Sequence, residues 1–194
     1  MTQEHIRGPV PVAPRKTYTK MAITLHWIMA LPFILLLLFG LPTMGNHYGR
    51  FWPTVHVSTG FALLALVVLR AIWRWRYPPP PLPTAMSKLE RWLAWLSHFA
   101  LYAVMVLMPL SGWFAYTEHV HRTMGVQSAR FFWLSKIPLL PDFGINFHFI
   151  HKLSSYIALA LIAIHILAAF KHHFWDRDEV LLRILFKQRE KSRI

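Results

Sequence analysis

Four long apolar stretches, each free of Asp, Glu, Lys and Arg, alternate with short polar or basic segments. They cover residues 21–41, 51–69, 92–117 and 153–170. Each is close to the ~20 residues, or ~30 Å at 1.5 Å per residue, that a helix needs to cross a bilayer. Helices of a soluble protein would show polar stripes, and these stretches have almost none. The pattern predicts an all-α membrane protein, a bundle of four transmembrane helices in contact with lipid.

The charged residues surround these stretches. The chain has 194 residues, 55% of them hydrophobic and 15% charged, with a net charge of +13, whereas a soluble domain carries about 25% charged residues. Sixteen of the 21 Lys and Arg residues lie in the two tails and the second loop. Because Lys and Arg accumulate on the cytoplasmic side, both termini are expected there. The basic residues flank membrane spans and form no stripe on a soluble domain, which argues against a nucleic-acid partner.

The predicted organisation has three parts. A cytoplasmic N-terminal tail covers residues 1–20, the transmembrane domain covers 21–175, and a basic cytoplasmic tail covers 176–194. We expect the last segment to form an amphipathic helix on the inner membrane surface. In the outer loop, 118–150, the aromatic segment 130–135 is expected at the outer interface. The spans are placed at about 21–41, 51–76, 92–117 and 150–171.

Histidines lie within the spans at two matching depths. His26 and His165 are each five or six residues from the cytoplasmic end of a span. His56 is five residues inside the second span from the outer end, and His151 is at the outer start of the fourth. An ionisable side chain in a membrane is costly and usually marks function. The depths predict two facing pairs, His26 with His165 and His56 with His151.

The spacing on the fourth span supports this pairing. His151 and His165 are 14 residues apart, which is nearly four helical turns, so both project from one face about 21 Å apart. Two imidazoles that face each other across a bundle can fill both axial positions of a haem iron, which leaves electron transfer as its chemistry. Cysteine is absent, so covalent attachment and iron–sulfur clusters are excluded. The prediction is two haem b groups, with Gly60 small enough to let a porphyrin approach the backbone.

Other histidines compete with these four. His98 lies at the depth of His26 and His165, but the third span has no outer histidine to form a second pair. We therefore leave His98 out of the ligand set and expect it to line a quinone pocket or to bond a haem propionate. His148, three residues before His151, competes with it in the same way for the outer position. Lys171, His172 and His173 are expected to meet cytoplasmic propionates, and His5, His47, His119 and His121 are read as loop residues.

From about residue 19 to residue 183 the chain resembles the prokaryotic cytochrome b561 family of small four-helix di-haem membrane proteins. The resemblance rests on short motifs that together are specific: Leu25-His26-Trp27; Val55-His56-Val57-Ser58-Thr59-Gly60 with Arg70; His98 with Tyr102 and Pro109-Leu110-Ser111-Gly112; His151 to His165 followed by His172-His173; and Asp176-Arg177-Asp178 with Leu181-Leu182-Arg183. The resemblance implies haem ligands at His26, His56, His151 and His165, in agreement with the depths. It also implies electron exchange with quinone in a bacterial inner membrane.

Two alternatives stay open. Similar di-haem subunits anchor hydrogenases and formate dehydrogenases, so the chain could serve as such an anchor for a peripheral redox partner. A non-haem proton or metal transporter that uses histidines is the second alternative.

The outer segments carry an unexpected excess of positive charge: Arg50, Arg122, Arg130, Lys136 and Lys152 against Glu118 and Asp142. Lys152 adjoins the proposed ligand His151. A positive mouth over a haem would attract a small anion, and the family resemblance allows superoxide as that anion. The chain would then be a superoxide:quinone oxidoreductase. The alternative is that Lys152 and its neighbours bind haem propionates or lipid phosphates.

Overall fold

The computed structural model describes residues 17–40, 51–122 and 130–185. It contains four long helices, α1 (Lys20–Gly40), α2 (Phe51–Arg76), α3 (Lys88–Arg122) and α4 (Phe147–Phe170). All four are long and apolar enough to cross a membrane, which confirms the predicted fold class. The predicted tails lie partly outside the described residues, in 1–16 and 186–194, and so does Arg50.

Polar side chains fix where the helices begin. The Thr19 hydroxyl accepts a hydrogen bond from the backbone N–H of Ala22 at 3.1 Å, at the start of α1. Before α3, Ser87 and Glu90 exchange side chain-to-backbone hydrogen bonds of 2.9 and 3.2 Å, which is a capping box. Asn146 caps α4 by accepting from the N–H of Phe149. These caps satisfy backbone donors that a helix start leaves without partners.

Each helix packs against the next one along the chain, and α4 also contacts α1. A buried apolar layer lies between them and consists of Met29, Phe33, Leu37, Leu63, Val67, Val104, Met108 and Ala158. The outward faces expose large apolar side chains, such as Leu31, Leu107 and Leu167. Because water would disfavour so much exposed apolar surface, these faces are suited to lipid.

Ala158 shows which face of α4 points inward. It is 0% exposed and belongs to the buried layer. His151 precedes it by seven residues and His165 follows it by seven, and seven residues are nearly two helical turns. The two histidines therefore share the inward face of α4, and the apolar layer lies between them.

Each end of the bundle is tied together by contacts between elements. At one end, here called the proximal end, Trp73 Nε1 donates to Thr19 Oγ1 at 3.0 Å, and Lys171 Nζ forms ion pairs with Glu90 and Asp176 at 2.6 and 2.9 Å. The opposite end is called distal. There Trp113 Nε1 donates to the carbonyl of Pro138 at 2.8 Å. Both described chain ends therefore lie at the proximal end.

The outer loop has more structure than predicted. Helix α3 continues to Arg122, and residues 130–136 form a hairpin of β1 (Arg130–Phe131) and β2 (Ser135–Lys136). The strands are joined by the three residues 132–134, in which Phe132 and Trp133 have φ values of 42° and 64°. The N–H of Leu134 donates to the carbonyl of Phe131 at 2.9 Å, as in a type I′ turn. Trp133 packs against Phe51 with ring centres 5.6 Å apart, so the aromatic segment is held by contacts with α2.

The described part of the C-terminal segment differs from its predicted conformation. Helix α4 ends in a π-helical turn, Lys171–Trp175, and the segment that follows contains a short 3-10 turn, Leu182–Ile184, between bends and turns. The described part, up to residue 185, is therefore not the amphipathic helix expected for 176–194. Tertiary hydrogen bonds hold it instead, because Trp27 Nε1 donates to the Ile184 carbonyl at 3.1 Å and Arg183 donates to the Pro81 carbonyl at 2.8 Å.

Candidate functional site

At the distal end, α2 and α4 bring His56 and His151 face to face. Their ring centres are 6.1 Å apart and the ring planes make an angle of 80°. His151 Nδ1 lies 2.9 Å from the carbonyl oxygen of Met108. Because a carbonyl can only accept, Nδ1 carries the proton and the Nε2 lone pair is left for a metal. A ligand histidine that is oriented through its other nitrogen is the usual arrangement at metal sites.

A cavity of about 270 Å³ opens beside His56, between α1 and α2. Its lining is almost wholly apolar and includes Leu35, Leu36, Phe39, Trp52, Val55 and Thr59. An apolar cavity of this kind does not hold ordered water well. It suits the apolar edge of a flat macrocycle on the His56 side of the pair. With the two ring centres 6.1 Å apart and Nε2 of His151 available, the distal residues fit a haem.

Near the proximal end, His26, His98 and His165 come together. His98 and His165 have ring centres 5.5 Å apart at an angle of 80°, and His26 is close enough to both to interact electrostatically. His98 Nδ1 lies 2.6 Å from the carbonyl of Ala94 in its own helix. The sequence predicted a pair at this depth with His98 beside it. The structure gives His98 a closer ring contact with His165 than that prediction implied.

Arg70 of α2 adds a positive charge to the proximal cluster, and sequence reasoning gave it no role. Its Nε donates to Tyr102 Oη at 3.1 Å and its Nη1 to the carbonyl of Ala22 at 3.0 Å. It lies close to all three proximal histidines. The sequence did indicate that Arg70 shares a face of α2 with His56. The two residues are 14 positions apart, the same spacing that puts His151 and His165 on one face of α4.

The cations at the distal end differ in their surroundings. Arg122 forms an ion pair with Glu118 at 2.5 Å, whereas Arg130 and Lys136 are directly opposite each other on the two hairpin strands. Opposed like charges destabilise a strand pair. Ser58, two residues after His56, holds this hairpin, since it donates to the Arg130 carbonyl at 3.3 Å and accepts from the Phe132 N–H at 2.8 Å. Lys152 is exposed on the first turns of α4.

Two smaller predictions concern residues outside the histidine pairs. Lys171 and His172, which were expected to meet haem propionates, pair with carboxylates of the protein in this structure. His172 Nδ1 lies 2.9 Å from Asp176 and 2.8 Å from Asp178, and Lys171 binds Glu90 and Asp176. At Gly60, an added Cβ would meet no described atom within 4 Å, so there is room beside the α2 backbone.

Four membrane-length helices that hold imidazoles from different helices at two depths define a membrane-bound cytochrome b that transfers electrons. The chain belongs to the prokaryotic cytochrome b561 family, because the sequence model of that family matches residues 17–187. Membership implies b-type haem, which removes the alternative of a non-haem transporter.

Three relatives align with nearly the whole chain. Cytochrome b561 homolog 2 of Escherichia coli K12 is 30% identical over 88% of this chain and 92% of its own length. The probable superoxide oxidase CybB of Yersinia pestis is 25% identical over 90% of this chain and 98% of its own. Cytochrome b561 homolog 1 of Escherichia coli K12 is 27% identical over 87% of this chain and 96% of its own.

Proposed function

We propose that this cytochrome carries electrons across the bacterial inner membrane through two haem b groups, each held by two histidines. His56 and His151 would ligate the distal iron, and His26 and His165 the proximal iron. The observation that carries the proposal is the inward face of α4, which presents His151 and His165 to imidazoles of other helices on either side of the apolar layer. A haem with both axial positions filled accepts and donates single electrons.

The assignment of the proximal pair leaves His98 a different role. The carbonyl of Ala94 binds Nδ1 of His98 as the carbonyl of Met108 binds Nδ1 of His151, so this bond does not distinguish the two rings. The choice rests on α3, which places the apolar Met108 and the hydroxyl of Ser111, rather than a second histidine, toward the distal site. We propose that His98 hydrogen-bonds a quinone or a haem propionate beside the proximal iron. Arg70 would stabilise the propionate charge there.

The orientation follows from charge. The segments at the proximal end hold most of the Lys and Arg residues, so this end would face the cytoplasm. The distal hairpin and Lys152 would then face the periplasm. Quinone reduction at the proximal end would take its protons from the cytoplasm.

The electron donor proposed for the distal haem is superoxide. Arg130 and Lys136 oppose each other on a hairpin bound to Ser58, two residues after His56 in α2, and a small anion would relieve their repulsion. One of the relatives is named a probable superoxide oxidase, which supports the same chemistry. Two superoxide anions would give two dioxygen molecules and two electrons, and these electrons with two protons would convert one quinone to quinol.

The test begins with purified protein. A haem assay per chain and a reduced-minus-oxidised spectrum should give two low-spin b-type haems, and superoxide should reduce them with release of dioxygen. Added quinone should then reoxidise them. One haem per chain would contradict the two-pair proposal, and haems that react only with a co-purified hydrogenase or formate dehydrogenase subunit would favour the anchor alternative.

A further inference from the structure

Each ring of the distal pair packs against a glycine from a different helix. A Cβ built on Gly112 of α3 would lie 2.9 Å from His151 Cε1 and 3.1 Å from its Nδ1. A Cβ built on Gly40 of α1 would lie 3.1 Å from His56 Cε1. Real Cβ atoms essentially never approach another atom within 3.0 Å. Any side chain at Gly112 would therefore displace the His151 ring or the helix that carries it.

The His151 ring is held at its edge as well as at its face. Its Nδ1 is bound to the carbonyl of Met108, with the Ser111 hydroxyl 3.3 Å away. Both of these groups belong to α3, within one turn of Gly112. The ring plane of His151 is thus fixed by α3, while Gly40 of α1 limits the plane of His56. The two planes meet at 80°.

We propose that Gly40 and Gly112 are positioning residues that hold the imidazole planes of His56 and His151 nearly perpendicular in the distal haem site. This inference rests on the proposed function, since it assumes that both rings ligate one iron. An alanine at either position would rotate its ring and reduce the angle between the planes.

The angle between two axial imidazole planes has a direct spectroscopic signature. In low-spin ferric haem, perpendicular planes leave two iron d orbitals nearly equal in energy, and the electron paramagnetic resonance spectrum then has a very large highest g value. Parallel planes separate these orbitals and lower that value. Groups outside the ligand set that orient a ligand also tune the metal.

The experiment compares ferric spectra of the wild type, Gly112→Ala, Gly40→Ala and Ala103→Val. The last variant is the control, because it adds bulk on an exposed position of the same helix, α3. We expect a lower highest g value for the distal haem in both glycine variants, with the larger shift in Gly112→Ala because its contact would be shorter. The proximal signal and the Ala103→Val spectrum should match the wild type.

The outcomes separate this inference from the function on which it rests. A wild type with one haem per chain defeats the proposed function. Two haems with a distal signal that neither glycine variant shifts, or a wild-type distal signal typical of parallel planes, defeats this inference alone. If Gly112→Ala loses the distal haem, Gly40→Ala decides, because a contact of 3.1 Å needs only a small ring movement.

Discussion

Both ends of the bundle bring histidines of different helices together, but the residues around these histidines differ. The distal site contains two imidazoles in ring contact beside an apolar cavity. The proximal site contains three imidazoles with a guanidinium next to them. Because only these two imidazoles meet at the distal end among the described residues, the proposed ligand pair has no competitor there. A third imidazole gives the proximal site an additional hydrogen-bonding group, which the quinone reduction proposed for this end would use.

The charge next to each site also differs. Arg70 is partly buried and hydrogen-bonded, whereas Arg130, Lys136 and Lys152 are exposed to solvent and screened by salt. A nearby cation favours the reduced form of a haem, because reduction adds a negative charge. We therefore expect the proximal haem to have the higher reduction potential, which would draw electrons from the distal end to the proximal end.

The largest effect is expected from removal of one ligand on α4. His151→Ala should lose the distal haem and His165→Ala the proximal haem, each halving the haem content, because each iron needs both of its axial ligands. Haem assays and difference spectra of the purified variants measure this. His148→Ala is the matched control, as His148 is exposed on the same helix three residues from His151, and loss of haem from it would contradict the distal pair.

His98→Ala tests the role of the third imidazole at the proximal end. It should retain both haems and slow their reoxidation by quinone by roughly tenfold, the cost of about one hydrogen bond in the transition state. Stopped-flow spectroscopy with a soluble quinone measures the rate. If His98→Ala removes a haem and His165→Ala does not, the proximal ligands are assigned wrongly.

Arg70→Gln tests the difference in charge. It should lower the proximal reduction potential by on the order of 50 mV, since a unit charge within ~10 Å at an effective dielectric constant of ~20 contributes about 1–2 kcal/mol. Potentiometric titration measures both haems in one experiment. Arg76→Gln is the control, because Arg76 lies over Tyr77 at the exposed end of the same helix. An equal shift in both variants would mean that the position of Arg70 is unimportant.

The smallest effect is expected from the exposed cations at the distal end. The double variant Arg130→Gln, Lys152→Gln should slow haem reduction by superoxide severalfold at low salt and hardly at all at high salt, because steering is screened. Pulse radiolysis measures the rate. Lys88→Gln, an exposed cation at the proximal end, controls for net charge. A rate in the double variant that equals the wild-type rate at low salt would leave the distal cations with a structural role.

The spans and histidine depths could be predicted because each depends on local sequence. An uncharged stretch of membrane length fixes a helix, and the position of His56 or His165 within it fixes the depth. The inward face of α4 was likewise predictable from the 14-residue spacing. The family match confirms the class of protein, while the ligand pairs stay a prediction.

Other features depend on contacts between distant segments. The bonds of Arg70 join three helices, and the hairpin at Arg130 depends on Ser58 in α2. The C-terminal segment has a basic composition typical of a surface helix, but its hydrogen bonds to Trp27 and Pro81 hold another conformation. Local periodicity contains no information about such partners.

One uninterrupted helix, α4, carries both His151 and His165, and this restricts how the gene can change. A single residue inserted between them would turn one imidazole by about 100° relative to the other, out of the bundle. An insertion of seven residues would keep the face but lengthen the helix by about 10 Å, beyond what a bilayer of ~30 Å accommodates without strain. Insertions and deletions should therefore be rare between His151 and His165 in natural variants and more common in the connecting loops.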